Sequence, residues 1–397
     1  MPVSNPFGES ELDSPAESIK EYAVVGPSAH RDFLPWHHPR KHFVRSEQWA
    51  FILEKHLQLN PKADGTIKWL GLPGDDLLDL RYIAERICEP MQQRLLFLGL
   101  NNSIKADSPN KYILDRALDQ MRKLPLVDEG SNVIVDSFNS LADSRSIAYQ
   151  TACKLGPFDV VNLDLCDGMV KNRPNDSQKP DYNAIQTLLG NQFRNPHPWL
   201  FYFTSLIGEQ HCHEQVLRKF LKLMDENIET CDGFGAAIEA QFGAPLTALN
   251  DPCRLFVVNL CGILKWLGAI CVNQTGWRME TMVIDCYTVF HGAADGSDVH
   301  LRDPSVDDLV SVAIRFVPKR VVAYDPNGLG TARSQADSEC RIALEAVKRM
   351  KERRRVEDCL REDEGIRQRI INEKMILLEG AGYARERYLE KVEEWLA

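Results

Sequence analysis

The sequence predicts an α/β fold: a mostly parallel sheet, a C-terminal antiparallel hairpin and a charged helical C-terminal extension. Three observations predict it. Between residues 66 and 228, short continuous apolar runs alternate five times with amphipathic helical runs. Two runs rich in β-branched and aromatic residues follow at 279–292 and 309–321, with no helical pattern between them. From Arg333 onward the chain holds 15 Lys+Arg and 15 Asp+Glu. Strands buried on both faces read as unbroken apolar runs, and parallel neighbours need crossover helices. Strand pairs without a helix between them read as antiparallel.

Residues 1–28, rich in Pro, Ser and Glu, read as a flexible lead. Residues 29–65 form a basic segment followed by a helix. "HRDFLPWHHPRKHFVR" holds Arg31, Arg40, Lys41 and Arg45, four histidines and one acid. Prolines 35 and 39 break a continuous helix here. Ser46 is the expected cap of the helix that follows, whose Trp49, Ile52, Leu53 and Leu57 share a face. A single sheet domain then spans 66–330. Its strands are predicted at 66–72, 94–101, from 131, at 158–166 and at 198–208, and helices follow each of them. A further helix is expected at 252–268, before the hairpin. The extension, 331–397, reads as two or three helices with Ile342, Ala346 and Met350 as a thin apolar seam.

With 44% hydrophobic and 26% charged residues, the composition is that of a globular protein. No 18-residue window is uninterruptedly apolar, and the N-terminus lacks a secretory pattern. These point away from a membrane and toward the cytoplasm. Eleven cysteines, an odd number with no CxxC pair, read as free thiols of a reducing compartment. "EQHCHEQ" has poor spacing for a metal, so none is expected. The net charge of −10 disfavours general coating of nucleic acid but allows a local basic groove. Arg40, Lys41 and Arg45 are therefore the candidate acceptor or nucleic-acid contact, through residues 30–45. Residues 335–397 are the candidate surface for a protein partner or self-association.

In an open α/β sheet, ligands bind beyond the carboxyl ends of the strands. All five predicted strands end in polar groups. The first ends in Gly71-Leu72-Pro73-Gly74-Asp75-Asp76 and the second in Asn101-Asn102-Ser103. The third ends in Asp136-Ser137-Phe138-Asn139, the fourth in Asp164, Cys166 and Asp167, and the fifth in Thr204-Ser205. Simpler readings exist for the first four: a tight turn with helix-dipole acids at 71–76, helix caps at Asp136 and Asp164, and a turn residue at Asn101.

Over residues 66–225, and to 320 with the hairpin, the chain resembles the class I S-adenosylmethionine-dependent methyltransferases, whose sheet is Rossmann-like. The resemblance implies S-adenosyl-L-methionine as cofactor. Gly71, Pro73, Gly74 and Asp75 would pass its methionine end, Asn101 its ribose, and Asp136, Ser137 and Phe138 its adenine. The fourth strand ends beside the transferable methyl, making Asp164 and Asp167 the candidate catalytic bases. A glycine permits close backbone approach, Asn101 offers an oxygen acceptor, and carboxylates and aromatic faces attract a sulfonium. Here Leu72-Pro73 separates glycines that stand closer in the family, and Asn101 replaces its usual acid. A second class of reading is a catalytically inactive scaffold of the same fold within a larger assembly, such as a bacterial antiviral defence system. A nicotinamide dehydrogenase fits less well, because G-x-G-x-x-G and its downstream acid are missing.

Overall fold

The computed structural model describes residues 32–102, 109–165, 167–171, 181–273, 276–288, 309–319 and 335–396. The expected flexible lead (1–28) and the polar connector of the hairpin (291–308) lie outside them.

The five predicted parallel strands are all present: β1 (Thr66–Gly71), β2 (Arg94–Leu100), β3 (Asn132–Ile134), β4 (Val160–Asp164) and β5 (Trp199–Leu206). The hairpin is β6 (Trp277–Tyr287) and β7 (Leu309–Pro318). A two-residue strand, β8 (Arg354–Arg355), was not anticipated; it pairs in parallel with β6. The sheet order is β3-β2-β1-β4-β5-β7-β6-β8. β1 to β5 run parallel, and β7 runs antiparallel to both β5 and β6. The strand order reverses between β1 and β4, and this reversal creates the crevice in which such sheets bind ligands.

Helices cover both faces. On one side lie α1 (residues 39–59), α2 (78–91) and α3 (Pro109–Arg122). On the other lie α4 (Ile147–Leu155), α5 (Asp181–Gln192), α6 (Glu214–Thr230), α7 (Phe234–Phe242) and α8 (Asp251–Asn273). The extension supplies α9 (Gln335–Lys351), α10 (Val356–Glu362), α11 (Glu364–Gly380) and α12 (Arg385–Leu396). β5 shows why two cores form. Its Trp199, Phe201 and Phe203 enter one and Leu200 and Tyr202 the other, the period-two alternation of a central strand. The extension is divided between the cores: Ile342, Ala346 and Met350 of α9 join the first, while α10, α11 and α12 join the second with α1. The seam read from the sequence is thus spent inside the molecule.

α8 is long and apolar enough by composition to span a membrane, but 67% of its apolar window is buried here. It contacts α6, α9 and β6 as a core helix. α7 was not anticipated; it is nine residues bounded by two left-handed glycines, Gly233 and Gly243.

Two expectations are corrected. Pro39 does not break the helix but starts it, because the first helical position needs no N–H. His38 caps this start, its Nδ1 accepting from Arg40 N at 3.0 Å. Ser46 therefore lies inside α1, within the wide-turn stretch Val44–Ala50, and is not a cap. Second, the thiols are not all free. Cys231 and Cys340 form a disulfide that ties the start of α9 to the turn between α6 and α7. Proximity of these two cysteines is a tertiary fact, separated by 109 residues of sequence.

The covered core carries several histidines. Burial pushes His42 down to about 3 against the opposing pull of the Glu373 carboxylate, which would accept from the charged ring, and His56 down to about 4. His38 is also driven well below its ordinary value, first by burial and then by Arg40. The unfolded chain binds these protons near pH 6.5 and the folded chain resists them. Their stabilising contribution is complete above pH 6.5 and is lost as pH falls toward the folded values. Each histidine should remove up to about 1.4 kcal/mol per pH unit in that window. Chemical denaturation at pH 7 and pH 4.5 should show this fall, and His42→Gln should flatten it.

Candidate functional site

At the carboxyl ends of β1 to β4 lies a cleft of about 350 Å³. It is lined by Pro73, Gly74 and Asp75 after β1, by Asn101 after β2, and by Asp136, Ser137 and Phe138 after β3. Asp164 and Asp167 enter from beyond β4, and Lys41 and Arg45 from α1. Of the residues singled out from the sequence, Gly71 and Arg40 are not among its lining.

The loop after β1 has its shape for packing reasons. Gly71 is required inside the strand, where a Cβ would come within 2.8 Å of the Trp69 indole nitrogen and 3.2 Å of the Asn162 carbonyl oxygen. Gly71 therefore lies in the strand, outside the cleft lining, and its bareness serves the packing there. Pro73 fills the slot that Gly99 of β2 leaves open, since a Cβ on Gly99 would lie 2.8 Å from Pro73 Cγ. Gly74 has open space around it and lies in the cleft wall. Leu77 adopts a left-handed φ of 51° to turn the chain into α2. Gly99 escaped the sequence reading, although a glycine inside an apolar strand is a signal of close approach.

Asn101 fastens this loop to β2. Its Nδ2 donates to the Pro73 carbonyl and to Asp75 Oδ1, both at 3.0 Å. Asp136 organises the turn after β3, accepting from Ser137 N at 2.7 Å and from Ser140 Oγ at 2.6 Å, both on Oδ1. Ser137 in turn accepts from Asn139 N. The cap of the turn is thus Ser137, and Asp136 braces it from the cleft wall. Phe138, 6% exposed, supplies the apolar wall.

The cations of the basic segment are engaged within the chain. Lys41 pairs with Asp164, which also accepts from Thr204 Oγ1. Burial would lower the Lys41 amine, but Asp164, Tyr287 and Asp79 overcome this and raise it above the ordinary lysine value. It therefore stays charged. Its ammonium also lies 4.6 Å from the Trp49 ring centroid. Arg45, 2% exposed, donates from Nε to Asp79 Oδ1 at 2.7 Å. Burial would raise the Asp79 carboxyl, but Arg45 and Lys41 hold it below the usual range. Arg40 donates to the Thr288 carbonyl at 3.0 Å and pairs with Glu357 at 3.2 Å. Each of these three cations thus faces a carboxylate of the chain itself.

Asp167 accepts from Lys171 Nζ at 2.9 Å, from Gly168 N at 2.8 Å and meets His211 Nδ1 at 2.7 Å. These partners outweigh its burial and hold it below the usual carboxylate range. Low basicity makes it a weaker proton acceptor at neutral pH. His211, from the "EQHCHEQ" stretch, thus acts as a clamp on Asp167. The cleft is closed from behind by the extension. Tyr383 donates to Asp76 Oδ2 at 2.7 Å, and Glu373 accepts from Tyr82 at 2.8 Å and meets His42 at 3.4 Å. No local motif pointed to these residues, which stand about 300 positions from their partners.

A family model described as PP_RS20740-like matches residues 30–393. No curated protein matches the sequence. Among solved structures, the chain is similar to a provisionally assigned class I S-adenosylmethionine-dependent methyltransferase of Listeria monocytogenes. The identity is 13% and the TM-score 0.30, over 75% of this chain and 66% of that one. The chain thus spans just under two thirds of that structure, a likeness too loose to transfer an activity.

Replacing Arg45 with Met should cost about 3–5 kcal/mol, because the buried Asp79 carboxylate loses the guanidinium that hydrogen-bonds it. The Arg45→Met, Asp79→Leu double variant should recover most of that loss. Urea unfolding of the two variants checks both values.

Proposed function

The chain belongs to the PP_RS20740-like family, and we propose that it is an S-adenosylmethionine-dependent methyltransferase acting on a small neutral or cationic acceptor. One observation carries this reading. Nine residues predicted from four separate strand ends line a single cleft at the point where the strand order reverses. Packing alone has no need to gather polar groups from four strand ends into one cleft.

The cleft's chemistry suits such a cofactor. Its walls combine the apolar faces of Leu72, Leu100 and Phe138 with the carboxylates of Asp75 and Asp136. In this reading Pro73, Gly74 and Asp75 hold the methionine end, Asn101 and Asp75 the ribose, and Asp136, Ser137 and Phe138 the adenine. When bound, S-adenosylmethionine supplies a methyl group on a positively charged sulfur. The protein's task is then to orient the acceptor and exclude water. Asp164, held by Lys41 and Thr204, stands at the end of β4 to accept the acceptor's hydrogen bond and its proton. Asp167, already saturated by Lys171, His211 and Gly168, orients and does not act as the base.

The acceptor class follows from charge. Seven aspartates line the cleft against Lys41 and Arg45, both of which face carboxylates. A phosphate backbone would be repelled, so we place nucleic acid behind a small amine or hydroxyl compound as acceptor. The internal pairing of Asp164 also favours a second reading, a methyltransferase-fold scaffold that binds the cofactor without turnover. In either reading we place the protein in the cytoplasm.

Calorimetric titration should give micromolar binding of S-adenosylmethionine and S-adenosylhomocysteine and none of NAD. Asn101→Ala and Asp136→Ala should each weaken that binding at least tenfold. Asp164→Asn should leave it within threefold while lowering cofactor turnover at least a hundredfold in an acceptor screen. Absence of binding by both sulfur ligands would sink the assignment; tight binding with no turnover across the screen would select the scaffold.

A further inference from the structure

A second cavity, of about 440 Å³, lies at the far end of the sheet from the cleft. Arg315 of β7, one of its lining residues, pairs with Leu200 at the start of β5, whereas Asp164 of the cleft pairs with Thr204 farther along. The cavity is enclosed by α1, the β6–β7 hairpin and α9. Nothing proposed for the cleft makes use of it.

Its floor is apolar: Ile52, Met279 and Ile342 are 3–6% exposed. Phe51 stands at the rim, 53% exposed, on the same helix face as the exposed Lys55. The register of β6 against β7 shifts between Thr281 and Val283, and such a bulge bends a strand and opens space beside it.

The rim is cationic. Lys55, Arg315, Arg341 and Arg349 line the cavity against Glu280 and Glu345, in a protein whose net charge is −10. Arg315 is tied to Glu280, Nε to Oε2 at 2.8 Å. Arg349 donates from Nη1 to Glu352 at 2.8 Å, yet its buried Nε has no hydrogen-bond partner among the described residues. A buried donor left unmatched carries an uncompensated desolvation cost, and an incoming acceptor recovers it. Arg341 has no ion-pair partner among the described residues.

An apolar floor beneath a cationic rim selects a ligand that is apolar at one end and anionic at the other. We propose that this cavity binds an amphipathic anion, an apolar chain of about ten carbons ending in a carboxylate or phosphate, at roughly 30 Å³ per non-hydrogen atom. The chain lies on Ile52, Met279 and Ile342, and the head group meets Arg341 and Arg349. The neutral alcohol of the same chain keeps the apolar contact and loses the charge-assisted hydrogen bonds.

The test is calorimetry with the full chain at ligand concentrations below micelle formation. Decanoate and decyl phosphate probe the two head groups, with decanol and decyltrimethylammonium as neutral and cationic controls. At least one anion should bind one molecule per chain, at least tenfold tighter than either control, and the tighter of the two identifies the head group. Arg341→Glu, an exposed substitution that leaves the core intact, should weaken it at least tenfold, and Arg341→Glu with Arg349→Glu should abolish it. Saturating S-adenosylmethionine should leave the affinity within twofold, whatever its own binding proves to be. Equal binding of decyltrimethylammonium, indifference to Arg341→Glu, displacement by S-adenosylmethionine, or no binding of either anion would each overturn the proposal.

Discussion

Two cations on one helix, Lys41 and Arg45, organise the cleft end of this molecule. They stand one turn apart on α1, and each meets a carboxylate of the cleft, Asp164 and Asp79. Burying such pairs carries a desolvation cost that their attraction only roughly offsets, so their main return is in geometry and not in stability. Lys41 fixes the end of β4, and Arg45 fixes the first turn of α2. Together they set the distance between the loop after β1 and the loop after β4, which is the width of the cleft.

That arrangement needs a dry setting, and the C-terminal extension supplies it. α11 lies over α1, and its Glu373 gathers Tyr82 and His42. Arg354 of β8 binds the fully buried Asp285 through two nitrogens, and Gln48 of α1 donates to the same carboxylate at 2.9 Å. The charge balance of the extension, 15 against 15, is therefore not that of a solvated arm. Many of its charges face the body of the protein, where each needs a partner. Lys374 shows what happens without one: buried and unpartnered among the described residues, its amine falls well below the lysine range, first through burial and then through Arg45.

Strand ends were legible in the sequence because they rest on local signals. An apolar run, a polar stop and a helical period suffice to locate Gly74, Asn101, Asp136 and Asp164, and parallel pairing brings them together. Chain reversal at the hairpin was legible for the same reason. Pairings across long separations were not. Nothing near Lys41 indicates that its partner is Asp164, 123 residues away, and nothing near Tyr383 indicates Asp76. The basic segment looked solvated because its cations were counted without their carboxylates. Pro39 misled because a proline bars a helix interior but suits a helix start. Gly71 shows that a strand glycine can answer to packing as well as to a ligand.

α1 runs through both cavities. Lys41 and Arg45 line the cleft, while Phe51, Ile52 and Lys55 line the cavity at the other end of the sheet. The separation along the helix from Lys41 to Lys55 is about 20 Å at 1.5 Å per residue. Between them lies the wide-turn stretch Val44–Ala50, whose Trp49 is fully buried and whose carbonyl accepts from Tyr202 of β5 at 3.0 Å. Such an anchor holds the middle of the helix to the centre of the sheet. An axial shift of α1 large enough to move Lys41 against Asp164 would have to break that bond and displace Trp49 from a closed core. The two cavities thus share a helix yet are isolated by its anchored centre, which makes independent occupancy the physical expectation for them.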